Sequence, residues 1–212
     1  MRENDLLNDT SIPDPNNPHN YMLDTSAFNK LADKYSDLEL FIRSKSFGFM
    51  YYKTANQDYE LGGIGANVYD ENCLPTYYKK SEALERKRPL FYEIQEKLEI
   101  KRVSSVASLM INHWILDGTY RIWDDHSVEG KLMQKILDFK QDSKKRKKRP
   151  FSQNYDAMIA EAALYNDCIL VTNDSDLRNM VNEDFLGRAI DYDELIRRIN
   201  SYSATISTVH LK

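Results

Sequence analysis

Residues 168–176 read Cys-Ile-Leu-Val-Thr-Asn-Asp-Ser-Asp. Cys168 to Val171 is an apolar run without polar alternation. Thr172 and the turn-forming Asn173-Asp174-Ser175-Asp176 close it. A short apolar run bounded by turn residues is the pattern of a strand buried on both faces, as in a parallel sheet covered by helices. The strand delivers a carboxylate, Asp174, at its end. Ligands of open α/β sheets bind outside the carboxyl ends of the strands. One stretch thus points both to a fold class and to the place where chemistry belongs.

Working outward, Asn20 to Leu23 is a second short apolar strand, and it too ends in a carboxylate, Asp24. The spacing of Phe28, Leu31, Ala32, Tyr35 and Leu38 predicts one helix after it. Phe47 to Tyr52 reads as a strand. Thr54 reads as the N-cap of a short helix that carries Glu60 and stops at Gly62-Gly63. Pro89 fits the first turn of a helix with the stripe Leu90, Phe91, Ile94 and Leu98. A further helix is expected over about 104–116, then a strand from Tyr120 to Trp123. Val128, Leu132, Met133, Ile136 and Leu137 mark an amphipathic helix. It runs into Lys144-Lys145-Arg146-Lys147-Lys148-Arg149 and is broken by Pro150. Ser152 or Asn154 can cap the next helix, Asp156 to Tyr165. Gly187 to Ile190 is a last strand, and Asp191 caps a final helix with Leu195, Ile196 and Ile199 inward.

Strands alternating with helices give an α/β class with a mainly parallel sheet. No repeat and no Pro/Gly/Ser-rich linker divides the chain. The expected organisation is a flexible arm over 1–19, one domain over 20–205 with an enlarged helical middle region at about 64–118, and a tail over 206–212. The 212 residues, 42% hydrophobic with 14 Tyr and 8 Phe, are enough to bury a core without staples. Cys73 and Cys168 form no CxxC pair, and the four His sit at no zinc-ligand spacing. That usage fits a reducing, cytoplasmic setting. The polar N-terminal segment has no apolar core of a signal peptide, and no run approaches the roughly 18 apolar residues of a membrane span.

The net charge of −4 argues against a nucleic-acid binder only if charge is spread evenly. It is not. The basic hexamer 144–149 and the smaller cluster Arg86-Lys87-Arg88 concentrate positive charge. A charge run is usually a solvated loop. This one leads within about two helical turns to Asp156, where it would draw a phosphate backbone toward acidic residues.

Each acid alone has an ordinary explanation. Asp24 can cap the helix after it, and Asp174 or Ser175 the turn that follows. Asp156 in a first turn would suit the helix dipole. Glu60 would be a solvated face, and Asp176 a turn residue. Glu161 lies about 140° around the helix from Asp156, which suits a surface or supporting role. Thr25, Ser26 and Thr172 can orient waters or satisfy turn amides. His113 reads as a core histidine and Asp124-Asp125-His126 as a helix cap. Taken together, Asp24, Glu60, Asp156, Asp174 and Asp176 fall where a sheet would gather them at one edge. Crowded carboxylates raise one another's pKa unless a cation intervenes. Hard oxygen donors without Cys or His suit Mg²⁺ or Mn²⁺. A haloacid-type phosphatase wants a second Asp where Ser26 stands, and a receiver wants an early Asp pair and a late Lys that are not in place.

Three segments resemble the acidic motifs of PIN domains, including VapC-type toxins. They are Tyr21-Met-Leu-Asp24-Thr-Ser, Asp156-Ala-Met-Ile-Ala-Glu-Ala-Ala-Leu164 and Leu170-Val-Thr-Asn-Asp174-Ser-Asp176-Leu. Glu60 before Leu-Gly-Gly resembles the remaining motif in less typical surroundings. The resemblance implies a Rossmann-like three-layer α/β/α sandwich and a divalent-metal endoribonuclease acting on RNA. Asp24, Glu60, Asp156 and Asp174 would be catalytic. Asp24, Asp156, Asp174 and Asp176 would hold the metal, with Thr25 and Thr172 in support and Lys144 to Arg149 on the RNA. It further implies a cognate antitoxin protein if the chain is a toxin, and a homodimer. The stretch between Glu60 and Asp156 is longer than in compact toxins, which leaves a stand-alone RNA-processing nuclease as an alternative to a toxin. A non-catalytic RNA- or protein-binding module is a separate alternative, against which the full set of acids argues.

Overall fold

The computed structural model describes residues 19–54, 57, 82–103, 132, 135–136 and 152–209, with the backbone alone for 82–85, 152–155 and 204–209. The elements run β1 (Asn20–Leu23), α1 (Thr25–Asp33), a 3-10 turn (Tyr35–Asp37), α2 (Leu38–Lys45), β2 (Met50–Thr54), α3 (Glu82–Leu98), β3 (Lys101–Val103), α4 (Ser152–Tyr165), β4 (Ile169–Val171), α5 (Ser175–Asp184), β5 (Ala189–Ile190) and α6 (Tyr192–Val209). The five strands form one sheet in the order β3-β2-β1-β4-β5, and every pairing is parallel. Met22 in β1 stands opposite Tyr52 on one side and Leu170 on the other. The chain builds outward from β1 to β3, then returns to β1's other flank with β4. The strand order therefore reverses between β1 and β4, which makes a crevice at their carboxyl ends.

Side chains alternate between faces along each strand. Tyr21, Leu23, Tyr51, Val171 and Ile190 pack on one face with α1, α2, α3 and α6. Met22, Leu170 and Ala189 pack on the other with α4, α5, Leu132 and Ile136. Helices thus cover both faces, which is why the strands read as continuous apolar runs. Aromatic rings fill much of the first face: Tyr21 stacks on Phe49 at 5.5 Å, and Phe41 lies 5.3 Å from Tyr51. The buried Tyr51 hydroxyl meets Ser44 Oγ at 2.6 Å.

Several local readings need correction. The single helix expected from Phe28 to Leu38 is two helices. Lys34 leaves helical geometry, and a 3-10 turn leads to α2. No Gly or Pro marks that break. Tertiary contacts hold it: the Tyr192 hydroxyl donates to Asp37 Oδ2 at 2.9 Å, and Lys34 Nζ lies over the Tyr192 ring. The strand expected from Phe47 starts at Met50, because Gly48 turns the chain at φ 91°. Pro89 lies inside α3, not in its first turn, although the stripe Phe91, Ile94 and Leu98 is buried as expected.

Residues 82–103, within the expected helical middle region, supply α3 to the main core and β3 to the sheet. β3 escapes the sequence reading because Lys101 and Arg102 are exposed on an edge strand, which needs no apolar run. The polar helix α5 was missed too, since only Leu177, Met180 and Val181 point inward. Asp191 Oδ1 does accept from Glu194 N–H at the start of α6, which continues past the expected boundary at 205 to Val209. The expected helix at 104–116, the strand Tyr120–Trp123, His113 and Asp124-Asp125-His126 lie outside the described residues. No helix among the described residues is long and apolar enough to cross a membrane.

The outer side of β5 is closed by a side chain. Asn182 Nδ2 donates to the Ala189 carbonyl at 2.8 Å, and its Oδ1 accepts from Ala189 N–H at 2.9 Å. The carboxamide thus takes up an edge that would otherwise template strand addition. Asn182→Ala should cost about 1–2 kcal/mol from two part-buried hydrogen bonds. It should also promote self-association. Denaturant melts and light scattering check both.

Candidate functional site

The switch point is built around Asp24. Its backbone N–H donates to Val171 O at 3.1 Å, which locks it to the end of β4. The residue is only 5% exposed, a rare burial for a carboxylate. Oδ1 accepts from Ser26 Oγ at 2.6 Å and from Ala27 N–H at 2.8 Å. Oδ2 accepts from Thr172 Oγ1 at 2.6 Å. Burial pushes the Asp24 carboxyl above the usual carboxylate range, and the Ser26 and Thr172 hydroxyls and the Ala27 and Ser26 amides only partly oppose that.

Both hydroxyls that serve Asp24 also accept from the β4–α5 turn. Thr172 Oγ1 accepts from Asp174 N–H at 3.1 Å, and Ser26 Oγ accepts from Asn173 N–H at 2.8 Å. Asp174 is then the N-cap of α5, its Oδ1 accepting from the amides of Asp176 and Leu177 at 3.0 and 3.1 Å. Asp24 likewise caps α1. The ordinary capping reading of both residues is therefore correct as far as it goes. It does not account for the burial of Asp24 or for its second oxygen, which is bound from another strand. Two helix amino ends, each with a positive dipole end, also meet at this crevice.

Asp156 is half-buried in the second turn of α4, since the helix begins at Ser152. Its expected place in the first turn is thus corrected, and with it the simple dipole explanation. α4 packs on β1, β2 and β4. A tight turn joins it to β4, with Asp167 at φ 52° and Cys168 N–H donating to Ala163 O. The helix therefore climbs from the amino end of β4 toward the carboxyl edge. Nine residues of helix place Asp156 about 14 Å along α4 from Tyr165, toward the carboxyl edge of the sheet. Glu161, on the same helix, is partly buried rather than on the surface.

Asp176 is exposed in the first turn of α5. Thr25 opens α1, its carbonyl accepting from Asn29 Nδ2 at 2.9 Å. Among the described residues, no three His, Cys, Asp or Glu side chains gather closely enough to hold a metal ion. Thr172 Oγ1 joins the Asp24 carboxylate to the backbone N–H of Asp174. Glu60 and Lys144 to Arg149 lie outside the described residues.

Three residues of this region were not singled out from the sequence. Asn173 ties the turn to α1 and α6, its Oδ1 accepting from Tyr192 N–H at 3.4 Å. Arg178 donates from Nη1 to Thr172 O at 3.1 Å, setting a cation one helical turn from Asp174. Gln57 is fully buried between the ends of β1 and β2. Its signal was available, since Thr54-x-x-Gln57 has the spacing of a capping box. Comparison with family models and with curated proteins yields no match to this chain.

Proposed function

We propose that the chain is a divalent-metal-dependent endoribonuclease on a PIN-like fold, working in the cytoplasm. One observation carries the reading. Asp24, a buried carboxylate at the end of β1, accepts from the Thr172 hydroxyl at the end of the adjacent β4, and that hydroxyl accepts in turn from the backbone N–H of Asp174, the acid that follows at the same switch point. A carboxylate whose pKa burial raises despite its hydrogen bonds favours a proton or a cation as company. The donors are hard oxygens. Mg²⁺ is commonly held by only one or two carboxylates together with waters and substrate phosphate. The set therefore fits a largely hydrated cation held by Asp24 and Asp174, with Asp156 and Asp176 as acids on the same edge and Glu60 as a further contributor. Such a cation supplies polarisation of a phosphodiester and stabilises charge on the attacking and leaving oxygens.

The chain's own residues do the rest. Thr172 and Ser26 hold the Asp24 carboxylate in one rotamer. The amino ends of α1 and α5 favour the charged forms of the Asp24 and Asp174 carboxylates that cap them. Thr25, at the start of α1, is a supporting residue in this reading. The basic hexamer Lys144 to Arg149 tracks the RNA backbone. Neutralising all six of its charges should weaken RNA binding and flatten the slope of log K against log salt by up to about 4 for single strands. Filter binding across a salt series reads this, and an unchanged slope removes the hexamer from the interface.

The decisive experiment is incubation of the purified chain with total RNA, with and without Mg²⁺ or Mn²⁺. Metal-dependent cleavage is the expected result. Its absence would favour the non-catalytic RNA- or protein-binding module, to which the lack of a three-acid cluster among the described residues lends support. A small antitoxin gene beside this one separates a toxin from a processing nuclease.

A further inference from the structure

The β1–β2 register runs to Met22 opposite Tyr52, while β2 continues beside β3 to Thr54 opposite Val103. Beyond Met22 a side chain takes over the pairing. Gln57, fully buried, donates from Nε2 to the Leu23 carbonyl, and its Oε1 accepts from Thr54 N–H at 2.6 Å. The carboxamide uses one donor and one acceptor, as a peptide group in a ladder does. The Leu23 carbonyl belongs to the same peptide plane as the Asp24 N–H, and that N–H donates to Val171 O. This one peptide plane is therefore pinned from both sides, by Gln57 on the β2 flank and by β4 on the other. A pinned plane fixes the direction in which the Asp24 side chain leaves the backbone, toward Thr172.

We propose that Gln57 is a positioning residue whose carboxamide clamps the Leu23–Asp24 peptide and thereby holds the Asp24 carboxylate against Thr172. The catalytic consequence rests on the nuclease reading above; the clamp itself does not. A glutamate at 57 keeps an acceptor for Thr54 N–H but turns a second acceptor toward the Leu23 carbonyl. Once protonated, it regains a donor. A leucine loses both bonds at every pH.

The test compares Gln57→Leu and Gln57→Glu with the unaltered chain, with Mg²⁺ and RNA, from pH 6 to 8.5. Gln57→Leu should lower kcat about 10- to 100-fold with KM for RNA nearly unchanged, as expected when a reacting group is misplaced by a fraction of an ångström to 1 Å. Gln57→Glu should be as poor at the high end and recover toward the unaltered enzyme as pH falls, while Gln57→Leu shows no such recovery. Backbone amide NMR shifts of Asp24, Ser26 and Asn173 should move in Gln57→Leu. If that variant does not fold, the pH-dependent recovery of Gln57→Glu decides. Unaltered kcat in the folded variants, or unmoved amide shifts at Asp24 and Ser26, overturns the proposal. If the unaltered chain cleaves no RNA, the function reading fails, and the amide shifts alone uphold or overturn the clamp.

Discussion

Asp24→Asn should reduce metal-dependent RNA cleavage by about 10²- to 10⁴-fold, the loss of several kcal/mol of charge stabilisation, while raising the melting temperature of the metal-free protein at neutral pH. The two halves share one cause. Asp24 is buried, and burial lifts its carboxyl above the ordinary range. The folded state therefore holds the proton more tightly than the unfolded chain does. Its stability from this group is full below the unfolded value, is lost as pH rises through the raised folded value, and is flat beyond. Asparagine carries no charge to bury and is itself a strong N-cap. It can still accept from Ala27 N–H at the start of α1. The gap in melting temperature between variant and unaltered chain should therefore be small in acid, widen as pH rises, and narrow again when Mg²⁺ or Mn²⁺ is added. Thermal melts in chelator and in metal, beside an RNA cleavage assay, read all of it. An active Asp24→Asn enzyme ends the nuclease assignment at this site.

Thr172→Val should do the opposite to stability and the same to activity. Valine matches the shape but leaves Asp24 Oδ2 without its 2.6 Å donor and Asp174 N–H without its acceptor. A hydrogen bond to a charged group is worth about 1.5–3 kcal/mol, and an unmet buried group costs comparably. The expected loss is about 2–3 kcal/mol, or about 4–12 °C in melting temperature for a domain of this size. The Thr172 hydroxyl favours the charged form of Asp24, so the deficit should be largest above the raised pKa of Asp24 and shrink as pH falls through it. Thr172→Ser keeps the hydroxyl and should recover most of both losses. A valine variant as stable as the parent at pH 8 would remove Thr172 from the role of bridge between the Asp24 carboxylate and the β4–α5 turn.

Much of the architecture was legible locally. Asn20–Leu23 and Ile169–Val171 are apolar without alternation because helices cover both faces of the sheet, so burial writes itself directly into composition. Asp24, Asp174 and Asp191 stand where helices begin, and all three accept from helix amides. The failures also have local causes. β3 is an exposed edge and α5 a mostly polar helix, so neither needed the apolar pattern that reveals an element. The break between α1 and α2 is set by Tyr192 and its contact with Asp37, 155 residues away in sequence.

The sequence by itself determined that strands alternate with helices and that carboxylates follow the strands at Asp24 and Asp174, because periodicity and turn chemistry act over a few residues. Only the tertiary structure decided that β1 and β4 are neighbours, that Thr172 and Ser26 reach from one strand end to the other, and that Gln57 pins the peptide behind Asp24. Those relations depend on strand order and register, which are fixed by how whole faces pack and not by any short run of residues.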